Sequence, residues 1–288
     1  MINRLAIGTA QFGSDYGITN RSVSASDADA AEVLRVARAG GVTTIDTAIA
    51  YGDSERLLGG LGMASWDVIT KVGMPPPDVS DLSDWFCGHL TASLNRLGID
   101  QLETVLFHDP EQLFGVRGGA LFEGLLRCKE KGLVRKLGIS IYEPSALGRY
   151  LEQFALDVVQ SPFNLLDRRL ASEGWLSRLK QRGIEVHVRS VFLQGVLLMD
   201  PEARRFRFGA WTPVWDQFDD WIQSTGNSRL EACLSYVAAI EGIDKLVIGV
   251  DSSEQMEQVL EAFGSKPPVA PESLQTDDLE LIDPRRWK

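Results

Sequence analysis

The chain has 288 residues, 44% of them hydrophobic, with 40 acidic and 29 basic side chains for a net charge of −11. At ~150 residues per domain this length suggests about two domains, although a single α/β barrel typically runs to ~250 residues. The acidic balance argues against nucleic acid or an anionic membrane surface as partner, and the one dense basic run, Arg204, Arg205 and Arg207, is too short for a polyanion groove.

Short apolar β-type runs alternate with helical patterns from end to end. Strands are expected at Leu5–Gly8, Thr43–Asp46, Asp67–Lys71, Glu103–Phe107, Val134–Ser140, Asp157–Gln160, Glu185–Arg189 and Lys245–Gly249. They read as buried on both faces, the mark of a parallel sheet. Helices are expected at Asp27–Ala39, Ser54–Leu61, Leu82–Leu97, Ala120–Lys131 and Pro144–Phe154. Three more follow at Ala171–Arg182, Asn227–Ile240 and Ser253–Phe263, most of the set stopping at glycine. The segment Met199–Pro213, with its three arginines and several aromatics, reads as a long loop after the seventh strand.

Eight β-then-α units close a (β/α)8 TIM barrel, which accounts for nearly all of residues 1–288 as one domain. The rival is an open doubly wound sheet. It calls for G-x-G-x-x-G after the first strand, and Gly8-Thr9-Ala10-Gln11-Phe12-Gly13 does not fit. Cys87, Cys128 and Cys233 are scattered and odd in number, so neither a disulfide scaffold nor a metal site is expected. The N-terminus lacks the apolar stretch of a signal peptide, and no uncharged run is long enough to span a bilayer. A soluble, cytoplasmic protein is the expectation.

Functional groups in a barrel gather where strands end. The second strand ends in Asp46 and leads to Tyr51; the third ends in Thr70-Lys71 and the fourth in His108-Asp109. Neighbouring strands lie ~4.8 Å apart, so Asp46, Lys71 and His108 should form one polar cluster, with Tyr51 reaching it from its loop. A buried lysine needs a partner, and Asp46 is the obvious one. Each residue alone has a bland reading as a cap, turn or strand end; His89 and His187 are expected to be structural.

Gly8-Thr9-Ala10-Gln11-Phe12-Gly13, Ile45-Asp46-Thr47-Ala48 with Tyr51-Gly52 and Ser54-Glu55, Thr70-Lys71 and Leu106-Phe107-His108-Asp109-Pro110 together resemble the aldo-keto reductase family. Gly138-Ile139-Ser140, Val159-Gln160 with Asn164, and Leu193-Gln194-Gly195 follow in the expected order, so the resemblance covers nearly the whole chain. It implies reduction of an aldehyde, ketone or sugar carbonyl by NAD(P)H, with Asp46, Tyr51, Lys71 and His108 as the catalytic tetrad. The chemistry agrees. Hydride delivered to a carbonyl carbon leaves an alkoxide that needs a proton, and an ammonium beside a phenol eases proton release. Asp46 would hold that ammonium in place, and His108 would orient the carbonyl oxygen.

The resemblance places the nicotinamide amide against Ser140, Gln160 and Asn164. The rest of the nucleotide would run along Gly8, Thr9, Ala10 and Asp46, then Ser190, Phe192, Gln194 and Gly195, then Gly249, Val250, Asp251, Ser252, Gln255 and Gln258. Three departures stand out. Arg189 occupies the position where the nicotinamide ring usually stacks on an aromatic; it is expected to bind an anionic substrate or to weaken retention of the oxidised cofactor. Relatives that select a 2′-phosphate place cations after the eighth strand, where this chain has Asp251, Glu254 and Gln255; the family favours NADPH, the local chemistry NADH, and the choice stays open. The usual N-terminal hairpin that plugs the barrel bottom is absent, leaving the floor to side chains or to the C-terminal tail.

Phe12, Tyr16, Tyr51, His108 and Tyr142 are the candidate substrate contacts, with Phe163 and the region near Trp211 behind them. Two other classes fit the same residues: a cofactor-binding redox-sensing module, and a non-redox barrel enzyme performing an elimination or epimerisation. No oligomeric state is legible.

Overall fold

A computed structural model describes residues 2–13 and 26–287. Eight parallel strands pair in sequence order and close on themselves. They are β1 (Leu5–Gly8), β2 (Thr44–Asp46), β3 (Asp67–Val72), β4 (Leu102–Phe107), β5 (Val134–Ser140), β6 (Val158–Pro162), β7 (Glu185–Arg189) and β8 (Lys245–Gly249). Closure comes from β1 against β8, with Ile7 opposite Ile248. The (β/α)8 barrel is therefore the architecture.

The helices are α1 (Ala10–Gly13), α2 (Asp27–Ala39), α3 (Ser54–Leu61), α4 (Leu82–Leu97), α5 (Gly118–Glu130) and α6 (Leu147–Gln153). The second half adds α7 (Arg169–Ser172), α8 (Trp175–Gln181), α9 (Pro201–Phe208), α10 (Thr212–Thr225), α11 (Arg229–Ala239), α12 (Ser253–Phe263) and α13 (Leu279–Ile282). Local chemistry sets their starts. Ser26 opens α2 with a capping box to Asp29, and Ser228 does the same for α11 with Glu231. No helix among the described residues is long and apolar enough to cross a membrane.

Period-2 alternation sends one face of each strand outward against the helices and the other into the barrel. Inside, Ile69, Leu106 and Val158 make a thin apolar layer separate from the large outer core. Polar side chains lie above it at the strand C-termini and below it at the N-termini. Gly138 leaves space for that layer: a Cβ there would sit 2.1 Å from the Val158 carbonyl oxygen and 2.8 Å from Leu106. Gly138→Ala is expected to destabilise the fold by ~1–3 kcal/mol through overpacking against a backbone that cannot step aside. Thermal denaturation would show this, and an unchanged melting temperature would contradict the packing.

Two expectations need correction. Residues 199–213 do not form a loop: Pro201, at the first helical turn, opens α9, and α10 begins at Thr212. The three arginines of that segment part ways: Arg205 and Arg207 are exposed. Arg204 is fully buried, donating to Asp219 at 2.5 Å with its guanidinium 4.9 Å from the Trp215 ring, whereas Arg205 pairs outside with Asp216. The C-terminal tail does not close the floor. Leu274, Leu281 and Ile282 pack with Leu165, Leu166 and Leu197 from the loops that follow β6 and β7, on the opposite side of the barrel. Cys87 on α4 and Cys128 on α5, far apart in sequence, meet as free thiols with their sulfurs 2.7 Å apart.

The floor is a polar cavity of about 410 Å³ bordered by Asn3, Arg4, Thr44, Lys136, His187 and Lys245 among others. Lys136 bridges Glu103 and Glu185 there, and Lys245 donates to Thr44 Oγ1 and to the Asn3 carbonyl. His187 is thus a buried group at the end of the barrel away from the strand C-termini.

Candidate active site

The sequence Thr70-Lys71 shows how alternation builds the site. Thr70 faces outward, donating to Glu55, which also accepts from Ser93 and Arg96. Lys71 faces inward, where its Nζ donates to Asp46 and, at 2.9 Å, to the Thr47 carbonyl. Asp46 and Lys71 are each only 2% exposed. Burial works against the Lys71 ammonium, but the negative charge of Asp46 and the Tyr51 ring's hydroxyl outweigh it, so the lysine titrates above its ordinary value.

The second Asp46 oxygen accepts from Gln160 Nε2 at 2.7 Å, tying β2 to β6 across the mouth. Tyr51 is delivered by a loop pinned to β3: Thr47 N–H donates to Ile69 and Ile49 N–H to Lys71. Lys71 Nζ lies 5.2 Å from the centre of the Tyr51 ring. His108, anchored by its own N–H on the Val72 carbonyl, meets Tyr51 edge-on with ring centres 5.8 Å apart. Its pKa is lowered to about 4 by burial, by Lys71 and by Arg189, so the imidazole is neutral at pH 7. The four residues expected at separate strand ends therefore converge.

A cavity of about 520 Å³ opens beside them. Asp46, Tyr51 and Gln160 line it, and so do Gly8, Thr9 and Ala10 after β1. Arg189, Ser190, Phe192, Gln194 and Gly195 form its wall after β7; Gly249, Val250, Asp251, Gln255 and Gln258 form the wall after β8. Three non-glycine residues of that first wall are left-handed: Ser190, Leu193 and Gln194 have φ of 58°, 48° and 56°. Two acceptors face no donor: Gln160 Oε1 and Asp251 Oδ1 are buried without a hydrogen-bond partner among the described residues.

Several candidates lie elsewhere. Ser140 is buried opposite Gln160 in the β5–β6 register and does not line the cavity. Ser252 caps α12, accepting from Gln255 N–H. Asn164 is occupied by backbone, donating to the Ser190 carbonyl and accepting from Leu166 and Asp167. Phe12 and Phe163 are buried core residues, not pocket wall. Tyr16 lies outside the described residues. Trp211 donates to Asp278 on the C-terminal tail and does not line the cavity, and His89 stacks on Trp85 at the surface. Tyr142 lies between two guanidinium groups, those of Arg189 and Arg285.

Gln11, Met199 and Arg229 line the cavity without having been singled out. For Arg229 a signal existed. A cation in the first turn of a helix opposes the helix dipole, so an arginine directly after the Ser228 cap is not there for the helix.

An acid-paired buried lysine, a tyrosine beside it, a neutral histidine and a cavity of about 520 Å³ thus meet at the C-terminal mouth of a (β/α)8 barrel. The sequence profile of the Aldo/keto reductase family matches residues 4–276, and the chain belongs to that family. It is 24% identical over 284 residues to the oxidoreductase YqkF of Bacillus subtilis, covering 90% of each chain. It is 30% identical over 209 residues to the aldo-keto reductase str7 of Strobilurus tenacellus, which is 67% of this chain and 58% of that protein. Among solved structures, the aldo-keto reductase AKR11C1 from Bacillus halodurans shares the fold with a TM-score of 0.73 at 20% identity, covering 93% of this chain and 88% of that one. Enzymes of this family use NAD(P)H in general.

Proposed function

We propose that the protein reduces an aldehyde, ketone or sugar carbonyl to the alcohol, and runs as an alcohol dehydrogenase in reverse. The observation that carries this reading is the convergence of Asp46, Tyr51, Lys71 and His108 beside a cavity that contains a buried acceptor without a donor, Gln160 Oε1. That acceptor suits the amide N–H of a nicotinamide, so the residues present fit the cofactor. When bound, the nucleotide supplies a hydride to the carbonyl carbon.

The chain's own residues do the rest. The Tyr51 hydroxyl gives its proton to the carbonyl oxygen as charge develops there. The Lys71 ammonium, held by Asp46 and the Thr47 carbonyl, stabilises the phenolate left behind until solvent returns a proton. Neutral His108 donates one N–H to the same oxygen and holds it beside Tyr51. A carbonyl panel with nicotinamide absorbance as the readout tests this. Tight nucleotide binding with no consumption across the panel would leave a binding module and refute the reductase.

Of the two nucleotides we propose NADH as the preferred one. Asp251 borders the cavity with an unpartnered buried oxygen, suited to a ribose hydroxyl, and residues 249–258 hold no lysine or arginine. Of the two arginines that line the cavity, Arg229 approaches Asp219 to 3.6 Å. Titration by protein fluorescence should give NADH an affinity at least ~10-fold above NADPH, and Asp251→Ser should narrow the ratio. Equal affinities in the parent protein would dispose of the preference.

A further inference from the structure

We propose that Arg189 selects carbonyl substrates that carry a carboxylate or another compact anionic group, and that it holds that group at the mouth of the barrel. The inference rests on the reductase reading and names the substrate class of the same site.

Arg189 closes β7 and lines the same cavity as Asp46, Tyr51 and Gln160. Its guanidinium leans toward β5, where Nη2 donates to the Ile141 carbonyl at 3.0 Å and Nη1 approaches Ser190 Oγ at 3.4 Å. A guanidinium has five N–H donors, so three remain for a ligand. The plane is fixed from one side by Tyr142, whose ring centre lies 4.0 Å from Arg189 Cζ. Arg285 covers Tyr142 as well, at 3.7 Å. Arg189 is thus a half-buried, oriented cation with a free edge.

The charges around it do not balance. Lys71 is matched by Asp46, and Arg285 by Asp283 at 2.7 Å. No carboxylate among the described residues pairs with Arg189. Its charge is felt at both Lys71 and His108, adding to the downward shift of His108 and partly opposing the upward shift of Lys71, which puts it within electrostatic reach of both groups. In a protein of net charge −11, an uncompensated arginine lining the same cavity as Tyr51 is a specific local inversion of sign. A neutral carbonyl leaves it uncompensated. A carboxylate accepts two parallel N–H donors from it and completes the site. An oxidised nicotinamide, itself a cation, does not.

A matched pair of aldehydes tests the assignment: 3-carboxybenzaldehyde and its methyl ester. The acid should be favoured in kcat/KM, chiefly through KM, and Arg189→Met should collapse the acid-over-ester ratio by ~10- to 100-fold, with partial recovery in Arg189→Lys. Binding of isophthalate, followed by titration, gives a readout that needs no turnover. It should weaken by a similar factor in Arg189→Met. A parent protein that favours the ester, with isophthalate binding unaffected by the substitution, overturns the proposal. So does a substitution that changes only the affinity ratio of oxidised to reduced nucleotide, because Arg189 then belongs to the cofactor. Arg189-dependent isophthalate binding without turnover of either aldehyde retains the anion site and refutes the reductase.

Discussion

Tyr51→Phe is expected to lower kcat for carbonyl reduction by ~10²–10⁴-fold while nucleotide affinity stays unchanged. The substitution removes one hydroxyl and keeps the ring that meets His108 edge-on and lies over Lys71. Packing is preserved, and the lysine stays paired with Asp46. What disappears is the proton that the product alkoxide must receive. Single-turnover kinetics with a bound reduced nucleotide would isolate that step from product release. A rate within a few fold of the parent would remove Tyr51 from the role of acid and leave His108 as the remaining donor within reach.

Asp46→Ala acts on stability as well as rate. The carboxylate is the sole side-chain partner of the buried Lys71 ammonium among the described residues and also anchors Gln160. Removing one member of a buried ion pair strands the other and costs ~3–5 kcal/mol, which for a chain of this size corresponds to a fall in melting temperature of roughly 6–20 °C. The pH dependence has a definite sign. Lys71 titrates above the ordinary lysine value in the folded protein, so its contribution is complete below ~10.4, the unfolded value. It is lost as pH rises through the folded pKa. The double variant Asp46→Ala with Lys71→Met should recover much of the stability and none of the activity. A single Asp46→Ala variant that melts with the parent would show that Lys71 is not buried as a cation.

Most of the barrel was legible because its signals are local. Glycine stops, serine caps and doubly buried strands mark units within about fifteen residues, and strands 1, 5, 7 and 8 fall where the pattern put them. The clustering of Asp46, Tyr51, Lys71 and His108 was legible for a related reason: polar groups at the ends of successive strands have one place to go. What stayed hidden depends on distant partners. The helical character of residues 201–208 rests on Arg204 finding Asp219 fifteen positions on, together with the Trp215 and Phe218 rings. Phe12 looks like a pocket aromatic until the outer core closes over it. The tail's position over the mouth follows from apolar loops after β6 and β7, whose burial no local pattern announces.

The wall after β7 has a consequence for how the protein divides its free energy between folding and binding. Ser190, Leu193 and Gln194 hold left-handed backbone, each at a cost of ~1–3 kcal/mol. That cost falls on the folding equilibrium, so an arriving ligand meets a loop that no longer has to be shaped. On the proposed reading, in which this wall holds the nucleotide, thermostability and affinity are therefore opposed at Ser190 and Gln194. A glycine introduced at residue 194 would relieve strain in the folded state, yet it would also release the wall to other conformations, so selection for a higher melting temperature there would drift toward weaker binding. At residue 193 it would instead empty the site of a fully buried leucine.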